Sequence, residues 1–345
     1  MARLFFLLSG EHPTLPTAEL KAILEAENYH CQIVEKLNQV LRLEADVNSV
    51  KVIRARSALT RICCREIFNC DANLSDILAK LHSASLEEFT GEGESFAVRV
   101  RRIKSVTPKL ASVELERKLG EKILKKVNKI WVDLKNPQKT FFGVLTDKRF
   151  VFGLKTAEVP TKPFSERSPQ KRPVFHPTAM HAKLARTMVN LAQPKIGELV
   201  LDPFCGTAGI LTEAGLIGCR VVGFDAKSHM LRGGLQNLLH YGIEPEGMVL
   251  ADARHPPVSR TDCIVTDTPY GRSASTLGMT TRHIIEDFLA AVGDVVPRGN
   301  RICMASPKTI KIGEASEDTG FKHEESHFVY VHGSLTREIA VLERP

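Results

Sequence analysis

The sequence predicts an α/β protein in two halves: an N-terminal α+β half of short strands and amphipathic helices, then a Rossmann-like, doubly wound parallel sheet from Phe175 onward. Three observations predict it. Beyond Phe175, short apolar runs that end in aspartate alternate with helix-length amphipathic segments. Before that point, period-two strand patterns are interspersed with helical ones and separated by Gly, Pro and Asn. A length of 345 residues with 43% hydrophobic content gives room for two or three compact cores.

The first block reads as a small α+β unit over residues 1–55. A strand over Leu4–Ser9 leads through a turn containing Gly10 and Pro13 to a helix from Thr17, with Leu20, Ile23 and Leu24 on one face. Strands over Cys31–Leu37 and Gln39–Leu43 follow. The second block, residues 56–157, has a helix near Leu74–Leu81 and a strand over Ser95–Arg102. In that strand Phe96, Val98 and Val100 alternate with Arg99 and Arg101, which makes a basic face and a candidate RNA surface. A long helix from about Lys109 to Val127 carries Leu110, Val113, Leu119, Ile123, Leu124 and Val127 as an apolar stripe, with Lys118, Lys122, Lys125 and Lys126 around it. Those lysines are read equally as a solvated face or as RNA contacts. A basic, proline-rich stretch within residues 158–174 reads as a linker to the last block, 175–345.

Charge is concentrated rather than spread. The net charge is +7, yet Phe96 to Arg172 alone holds 20 Lys and Arg against 7 Asp and Glu, so the remainder is net acidic. A phosphate backbone is the natural partner of such a stretch, because cations that displace condensed counterions supply most sequence-independent binding. The eight cysteines are scattered, with Cys63 and Cys64 adjacent and no C-x-x-C pair, which predicts buried free thiols and no structural metal. No apolar run is long enough for a membrane span or a signal peptide, and a cytoplasmic protein is expected.

The last block places its chemistry at strand ends. Strands are expected over Glu198–Asp202, Cys219–Asp225, Met248–Asp252, Asp262–Asp267 and Arg301–Ser306, with helices over Thr207–Ile217, Ser228–His240 and Arg282–Val296. A terminal hairpin follows, over Ser326–Val331 and Glu338–Leu342. The first of these strands runs into Asp202-Pro203-Phe204-Cys205-Gly206-Thr207-Ala208-Gly209, a glycine-containing turn at the carboxyl edge of the sheet, where ligands of open α/β sheets bind. It lacks the G-x-G-x-x-G spacing, which disfavours NAD. Asp225, one βα unit further on, is positioned to accept hydrogen bonds from ribose hydroxyls, and Asp252 with Ala253 closes the third strand where an adenine amino group could be met. Either aspartate could instead cap the helix that follows.

The fourth strand ends in Asp267-Thr268-Pro269-Tyr270-Gly271-Arg272. This string resembles the D-P-P-Y motif of enzymes that methylate amino groups on planar bases; an exocyclic guanine amine is a poor nucleophile because its lone pair is delocalised, so such a site would have to supply two acceptors that orient it. The Asp267 carboxylate and the Thr268 carbonyl can be those acceptors, while Tyr270 can stack on an extruded base. The alternative reading is a strand-ending turn. Cys205 lies in the cofactor turn rather than a base pocket and reads as packing.

These strings resemble known enzymes. D-P-F-C-G-T-A-G resembles the cofactor loop of amino-methylating enzymes, and D-T-P-Y resembles their D-P-P-Y motif, with Thr268 replacing the first proline. Threonine keeps the carbonyl but adds a backbone N–H. The segment Lys171-Arg172-Pro173-Val174-Phe175-His176-Pro177, the run from Leu184 to Ala192, the opening L-S-G-E-H-P and the closing H-G-S-L-T-R resemble archaeal tRNA guanine-10 N2-methyltransferases. F-A-V-R-V-R, S-V-E-L-E-R-K-L-G and V-D-L-K-N-P resemble a THUMP domain preceded by a ferredoxin-like one. The resemblance implies ferredoxin-like residues 1–55, a THUMP domain over 56–157 and a class I methyltransferase domain over 175–345. It implies S-adenosylmethionine as cofactor, bound by His176, Pro177, Asp202, Pro203, Cys205, Gly206, Thr207, Gly209, Asp225, Asp252, Ala253 and Asp267. Asp267, Thr268, Pro269 and Tyr270 would be catalytic, and Arg99, Arg101, Lys118, Lys122, Lys125 and Arg272 would meet tRNA. A monomer is expected, with an activating protein partner left open. The alternatives are a THUMP methyltransferase for another tRNA guanosine and an RNA-binding homologue of weakened activity.

Overall fold

The computed structural model describes residues 1–103, 111–270, 281–333 and 335–345. Packing divides the chain into two compact units, one comprising Met1–Glu11, Asn28–Arg54 and Thr60–Pro160, the other His12–Glu27, Ala55–Leu59 and Thr161–Pro345. In chain order the first 160 residues form β1 (Ala2–Leu8), α1 (Leu15–Ala26), β2 (Cys31–Leu37), β3 (Val40–Ala45), α2 (Ser49–Arg56) and β4 (Thr60–Asp71). They continue with α3 (Leu74–Ser83), β5 (Ser95–Arg102), α4 (Ser112–Lys126), β6 (Trp131–Val132), β7 (Lys139–Thr146) and β8 (Arg149–Glu158).

One eight-stranded sheet, ordered β2-β3-β1-β4-β8-β7-β5-β6, runs through the first unit without a break at residue 55. Its spine is β4, a 12-residue strand that sequence pattern leaves unassigned. Arg65, Glu66 and Asn69 interrupt the apolar signal there. The sheet accommodates one of these charges by pairing: Glu66 is buried and accepts from Arg42 of β3 at 2.7 and 2.6 Å, a bidentate pair that satisfies both groups. Opposite the bulge in β4, a Cβ on Gly153 would lie 2.1 Å from the Arg65 carbonyl oxygen, so only glycine lets β8 approach this closely. Phe68, Phe96, Phe141, Phe150 and Phe152 fill the core on one face, with ring centroids 5.2–6.1 Å apart in the contacting pairs.

Helix α4 corrects the expected stripe. Leu115, Leu119, Ile123 and the following Val127 are buried, whereas Val113 is 77% and Leu124 42% exposed; Leu110 lies outside the described residues. At 100° per residue, Leu115 and Ile123 fall within about 40° of Leu119, but Val113 and Leu124 are about 120° and 140° away.

The second half continues with α5 (Lys162–Glu166), α6 (Ala182–Leu191), β9 (Leu199–Asp202), α7 (Gly209–Gly215), β10 (Arg220–Asp225), α8 (Ser228–His240) and β11 (Gly247–Leu250). Then come β12 (Cys263–Asp267), α9 (Thr281–Val292), β13 (Arg301–Pro307), α10 (Ile312–Ser316), β14 (Lys322–His332) and β15 (Leu335–Glu343). The stretch read as a linker is structured: α5 and a 3₁₀ turn at Pro169–Lys171 carry the buried Phe164 and Arg172. The guanidinium of Arg172 donates to the carbonyls of Arg167 and Met180, both at 3.2 Å.

The seven-stranded sheet is ordered β11-β10-β9-β12-β13-β15-β14. The first five strands are parallel, and β15 joins β13 antiparallel with β14 beyond it. Chain direction across the sheet reverses between β9 and β12, which opens a crevice at their carboxyl ends. The third strand stops at Leu250, two residues before Asp252, which therefore sits in the turn that follows. All eight cysteines are free thiols and seven are buried. Among the described residues no helix is long and apolar enough to cross a membrane, and no His, Cys, Asp or Glu cluster is suited to a metal.

A buried polar seam holds α1 and residues 55–59 within this second unit. Glu19 of α1 is fully buried, and its carboxylate accepts from Ser57 Oγ (2.7 Å), Ala58 N (2.9 Å), Leu59 N (2.9 Å) and Asn190 Nδ2 (3.0 Å). Asn190, on α6, also donates to the Arg56 carbonyl at 3.1 Å. A single carboxylate thus satisfies donors from two separate stretches of chain, and its removal strands all of them. We predict that Glu19→Ala lowers unfolding stability by at least about 3 kcal/mol, while Glu19→Leu, which fills the space, fares no better. Denaturant titration checks this; an unchanged midpoint for both variants would remove the seam from the stability of the fold.

Candidate active site

Three aspartates come to one sheet edge because three parallel strands each end in one. Asp202 closes β9, Asp225 closes β10 and Asp267 closes β12, with Gly223 in register with Asp202 and Ile264 with Leu201. Asp225 and Asp267 border a cleft of about 420 Å³ lined among others by His176, Pro203, Gly206, Asp252, Ala253, Thr268, Pro269 and Tyr270. An adjoining recess of about 80 Å³ is lined by His176, Asp202, Cys205, Gly206, Thr207, Gly209 and Asp267. The structure thus brings together every sequence-predicted cofactor and catalytic residue except Pro177, which lines neither space. Phe204, Lys227, His229, Met230, Arg254 and Ile284 also border the cleft without having been singled out.

The loop after β9 bends tightly. Gly206 has φ +53 and Ala208 φ +61, both left-handed, and Ala208 N donates to the Cys205 carbonyl at 2.7 Å. Gly206 N then points at Asp225 Oδ2 (3.0 Å), while Lys227 N meets Oδ1 (2.9 Å). The Asp225 carboxylate is therefore fixed by two backbone donors and lines the cleft with acceptor capacity to spare, since each carboxylate oxygen accepts more than one bond. Asp252 is engaged differently: Arg254 folds back on it through its backbone N and Nε, both 3.0 Å from Oδ1. That pairing holds the Asp252 carboxyl below its ordinary range. His176 Nδ1 lies 2.8 Å from Thr178 Oγ1 at the rim.

Burial acts strongly on Asp202 and Asp267. Asp202 is 2% exposed, and burial pushes its carboxyl up to about 7 against the opposing bonds from Thr266 Oγ1 (2.7 Å) and Phe204 N (3.1 Å). Asp267 is likewise pushed up to about 6 by burial, opposed by the Arg337 charge and the Tyr270 hydroxyl. The Cys205 thiol is driven well above its ordinary value by burial and by Asp202 and Asp225, so it stays protonated, as packing requires and as a nucleophile could not.

Thr268 is 1% exposed, and its backbone N and its Oγ1 both donate to the Ala305 carbonyl of β13 at 3.0 Å. The two donors that distinguish threonine from proline are thus absorbed by the neighbouring strand. Among the described residues, the Thr268 carbonyl itself takes no hydrogen bond, and an acceptor there can serve an incoming N–H. Arg337 was missed as a site residue: from β15 its Nε reaches Tyr270 Oη (2.6 Å) and its Nη2 reaches Asp267 Oδ2 (3.2 Å). The Tyr270 hydroxyl in turn donates to Asp267 Oδ1. Its only sequence signal was the closing H-G-S-L-T-R string, 70 residues from Asp267.

In the first unit the basic candidates divide. Arg101, Lys122 and Lys125 are exposed. The Arg99 guanidinium is tied to the carbonyls of Val98 (3.1 Å) and Leu134 (2.7 Å), and Lys118 pairs with Glu114 at 2.7 Å. Arg272 lies outside the described residues.

Comparison with known proteins follows the same division. Residues 169–339 match the family model of an RMKL-like methyltransferase domain, and residues 71–154 match the THUMP domain. The chain is 37% identical, over 98% of both chains, to the tRNA (guanine(10)-N2)-dimethyltransferase of Methanothermobacter thermautotrophicus. It is 32% identical to the protein of the same description from Methanocaldococcus jannaschii, over 98% of this chain and 99% of that one. The crystal structure of TrmN from Thermus thermophilus superposes with a TM-score of 0.56 at 22% identity, covering 99% of this chain and 100% of the other. That likeness is one of fold; in this chain the THUMP match precedes the methyltransferase-domain match in sequence.

Two predictions test this geometry. Asp202 ionises near 4 in an unfolded chain and near 7 in the folded one, so its contribution to stability is full below about pH 4 and is lost as pH rises to about 7. The unfolding temperature of the wild type should therefore fall relative to that of Asp202→Asn between pH 4 and 7 and then run parallel to it. A difference independent of pH would contradict the assignment. Thr268→Pro deletes both bonds to Ala305, and a loss of about 1–3 kcal/mol in unfolding stability is expected, with Thr268→Val, which keeps the N–H, losing less. Equal stability of Thr268→Pro and wild type would show those bonds to be worthless.

Proposed function

Because the chain belongs to the tRNA (guanine(10)-N2)-dimethyltransferase family, we propose that it is an S-adenosylmethionine-dependent tRNA methyltransferase that modifies the exocyclic N2 of guanosine 10 to its N2-methyl and N2,N2-dimethyl forms. The observation that carries this reading is the meeting, in one cleft at the sheet's switch point, of the anchored Asp225 carboxylate with Asp267 and Thr268. A cleft of about 420 Å³ is of the size that takes small-molecule cofactors. The left-handed Gly206 lets backbone border it directly, and Asp225 offers paired acceptors suited to vicinal hydroxyls. Asp225, Gly206, Asp252 and His176 would hold the cofactor, which when bound supplies an activated methyl group on a positively charged sulfur.

The chain's own residues do the rest. Asp267 and the Thr268 carbonyl accept hydrogen bonds from the two amine N–H groups, and in the second round from the one that remains, turning the nitrogen lone pair toward the methyl. Positive charge grows on that nitrogen as it is alkylated, and the Asp267 carboxylate stabilises it and stands ready to take the departing proton. Arg337 lies with its Cζ 5.3 Å from the Tyr270 ring centroid, so the guanine would stack on the opposite face. The exposed Arg101, Lys122 and Lys125 of the N-terminal unit would meet the phosphate backbone, and that unit would form the RNA-gripping part.

Incubating the full chain with methyl-labelled S-adenosylmethionine and an unmodified tRNA transcript, followed by nucleoside analysis, tests the reading. We expect both N2-methylguanosine and N2,N2-dimethylguanosine, and no label in a transcript with adenosine at position 10. Asp267→Ala should bind cofactor nearly as wild type but lose about a hundredfold to a thousandfold in single-turnover rate, as other sites do on losing one preorganised group. Label in another nucleoside would refute the N2 assignment, and wild-type turnover by Asp267→Ala would refute the mechanism.

A further inference from the structure

The cation that pairs with the amine acceptor comes from β15, two strands from β12 in the sheet. Arg337 stands on β15, in register with Pro307 of β13 and Val329 of β14. It touches both the first and last residues of the D-T-P-Y string, Asp267 at 3.2 Å and Tyr270 at 2.6 Å. Among the described residues it is the cation paired with Asp267, and its own side chain is 10% exposed. The groups facing Asp267 otherwise are the Tyr270 hydroxyl, Asp202 at the end of β9, and His176, which shares the lining of both spaces. Burial disfavours its charge, and Arg337 and the Tyr270 hydroxyl favour it.

We propose that Arg337 is a positioning residue for methyl transfer: it holds Oδ2 of Asp267 as half of an ion pair and the Tyr270 hydroxyl on Oδ1, so that Asp267 meets the substrate amine as a carboxylate with a fixed orientation. This rests on the N2-methylation reading above and adds the means by which a buried acid stays able to accept. A protonated Asp267 would present a donor to the amine and no negative charge to the developing ammonium. Burial favours that inactive form; the guanidinium, which keeps its charge throughout the accessible pH range, opposes it. The Tyr270 hydroxyl occupies on Oδ1 the position that an amine N–H takes when the base enters, so the acceptor is never left unsatisfied.

The test is the pH dependence of single-turnover methyl transfer into tRNA, with cofactor and tRNA saturating, for wild type, Arg337→Met and Arg337→Lys. Loss of the opposite charge should move the acid limb of Arg337→Met upward by about one to three pH units, with the rate largely recovered at pH 9, while Arg337→Lys keeps the wild-type limb. Arg337→Gln, which retains a hydrogen bond to Tyr270 without charge, takes the place of Arg337→Met if that variant does not fold, and the same shift is expected. An unmoved acid limb, or a loss of rate equal at every pH, would overturn the proposal, because a merely structural arginine gives that result. A limb in Arg337→Lys displaced as far as in Arg337→Met would overturn it too. Wild-type nucleoside analysis separates the two layers: if the wild type makes no N2-methylguanosine, the functional reading fails and this inference with it; if it does and the limb stays, only the role of Arg337 fails.

Discussion

Three carboxylates crowded at one edge of a parallel sheet are the constraint around which the catalytic unit is arranged. A parallel ladder delivers Asp202, Asp225 and Asp267 to the same edge, the last two each two positions beyond the first in register, and like charges drawn out of water repel one another. Each is handled by a separate device. Asp225 is held by two backbone N–H groups of the loops around it. Asp202 accepts from Thr266 and Phe204 and is held near neutrality by burial. Asp267 is matched by a buried guanidinium. The glycine-containing turn after β9 follows from this, since Gly206 must turn its N–H onto Asp225 from a left-handed backbone.

The antiparallel end of the sheet is therefore part of the site. Adding β15 beside β13 places Arg337 one strand beyond the residue, Ala305, that absorbs both donors of Thr268. A purely parallel five-strand sheet would present Asp267 without its cation and leave the β13 edge open. The hydrogen bonds to Ala305 account for the threonine of the D-T-P-Y string: its N–H continues the β12–β13 ladder, and the hydroxyl reaches the same carbonyl. The backbone turn that proline would set by its ring is here set by bonds.

The N-terminal unit rests on different physics. Its eight strands need a central strand that passes between aromatic core and polar pairings, and β4 does so only because Arg42 satisfies Glu66 inside the sheet. Gly153 admits the bulge opposite Arg65, and five phenylalanines pack one face. The basic residues of β5 and α4 are then divided by local geometry into those tied down, Arg99 and Lys118, and those left facing water, Arg101, Lys122 and Lys125.

By itself the sequence determined the parallel sheet and the edge at which its strand-ending aspartates gather, because such aspartates followed by turns are local signals with fixed spacing. Asp202, Asp225 and Asp267, the turn through Gly206, and helices such as Ser228–His240 were legible for that reason. Charge concentration around residues 96–172 was legible too, being a count. Tertiary structure decided what depends on contact between distant segments. The β4 strand was hidden by charges whose partner lies on another strand, and the face of α4 was set by the register of Leu115, Leu119 and Ile123 rather than by the number of apolar residues. The supposed linker became a buried anchor through Arg172 and Phe164, and α1 joined the second unit through one carboxylate, Glu19. Arg337 was beyond reach for the same reason: nothing local marks an arginine on a terminal strand as the counter-ion of an acid 70 residues away, since only the strand order puts the two charges within 3.2 Å.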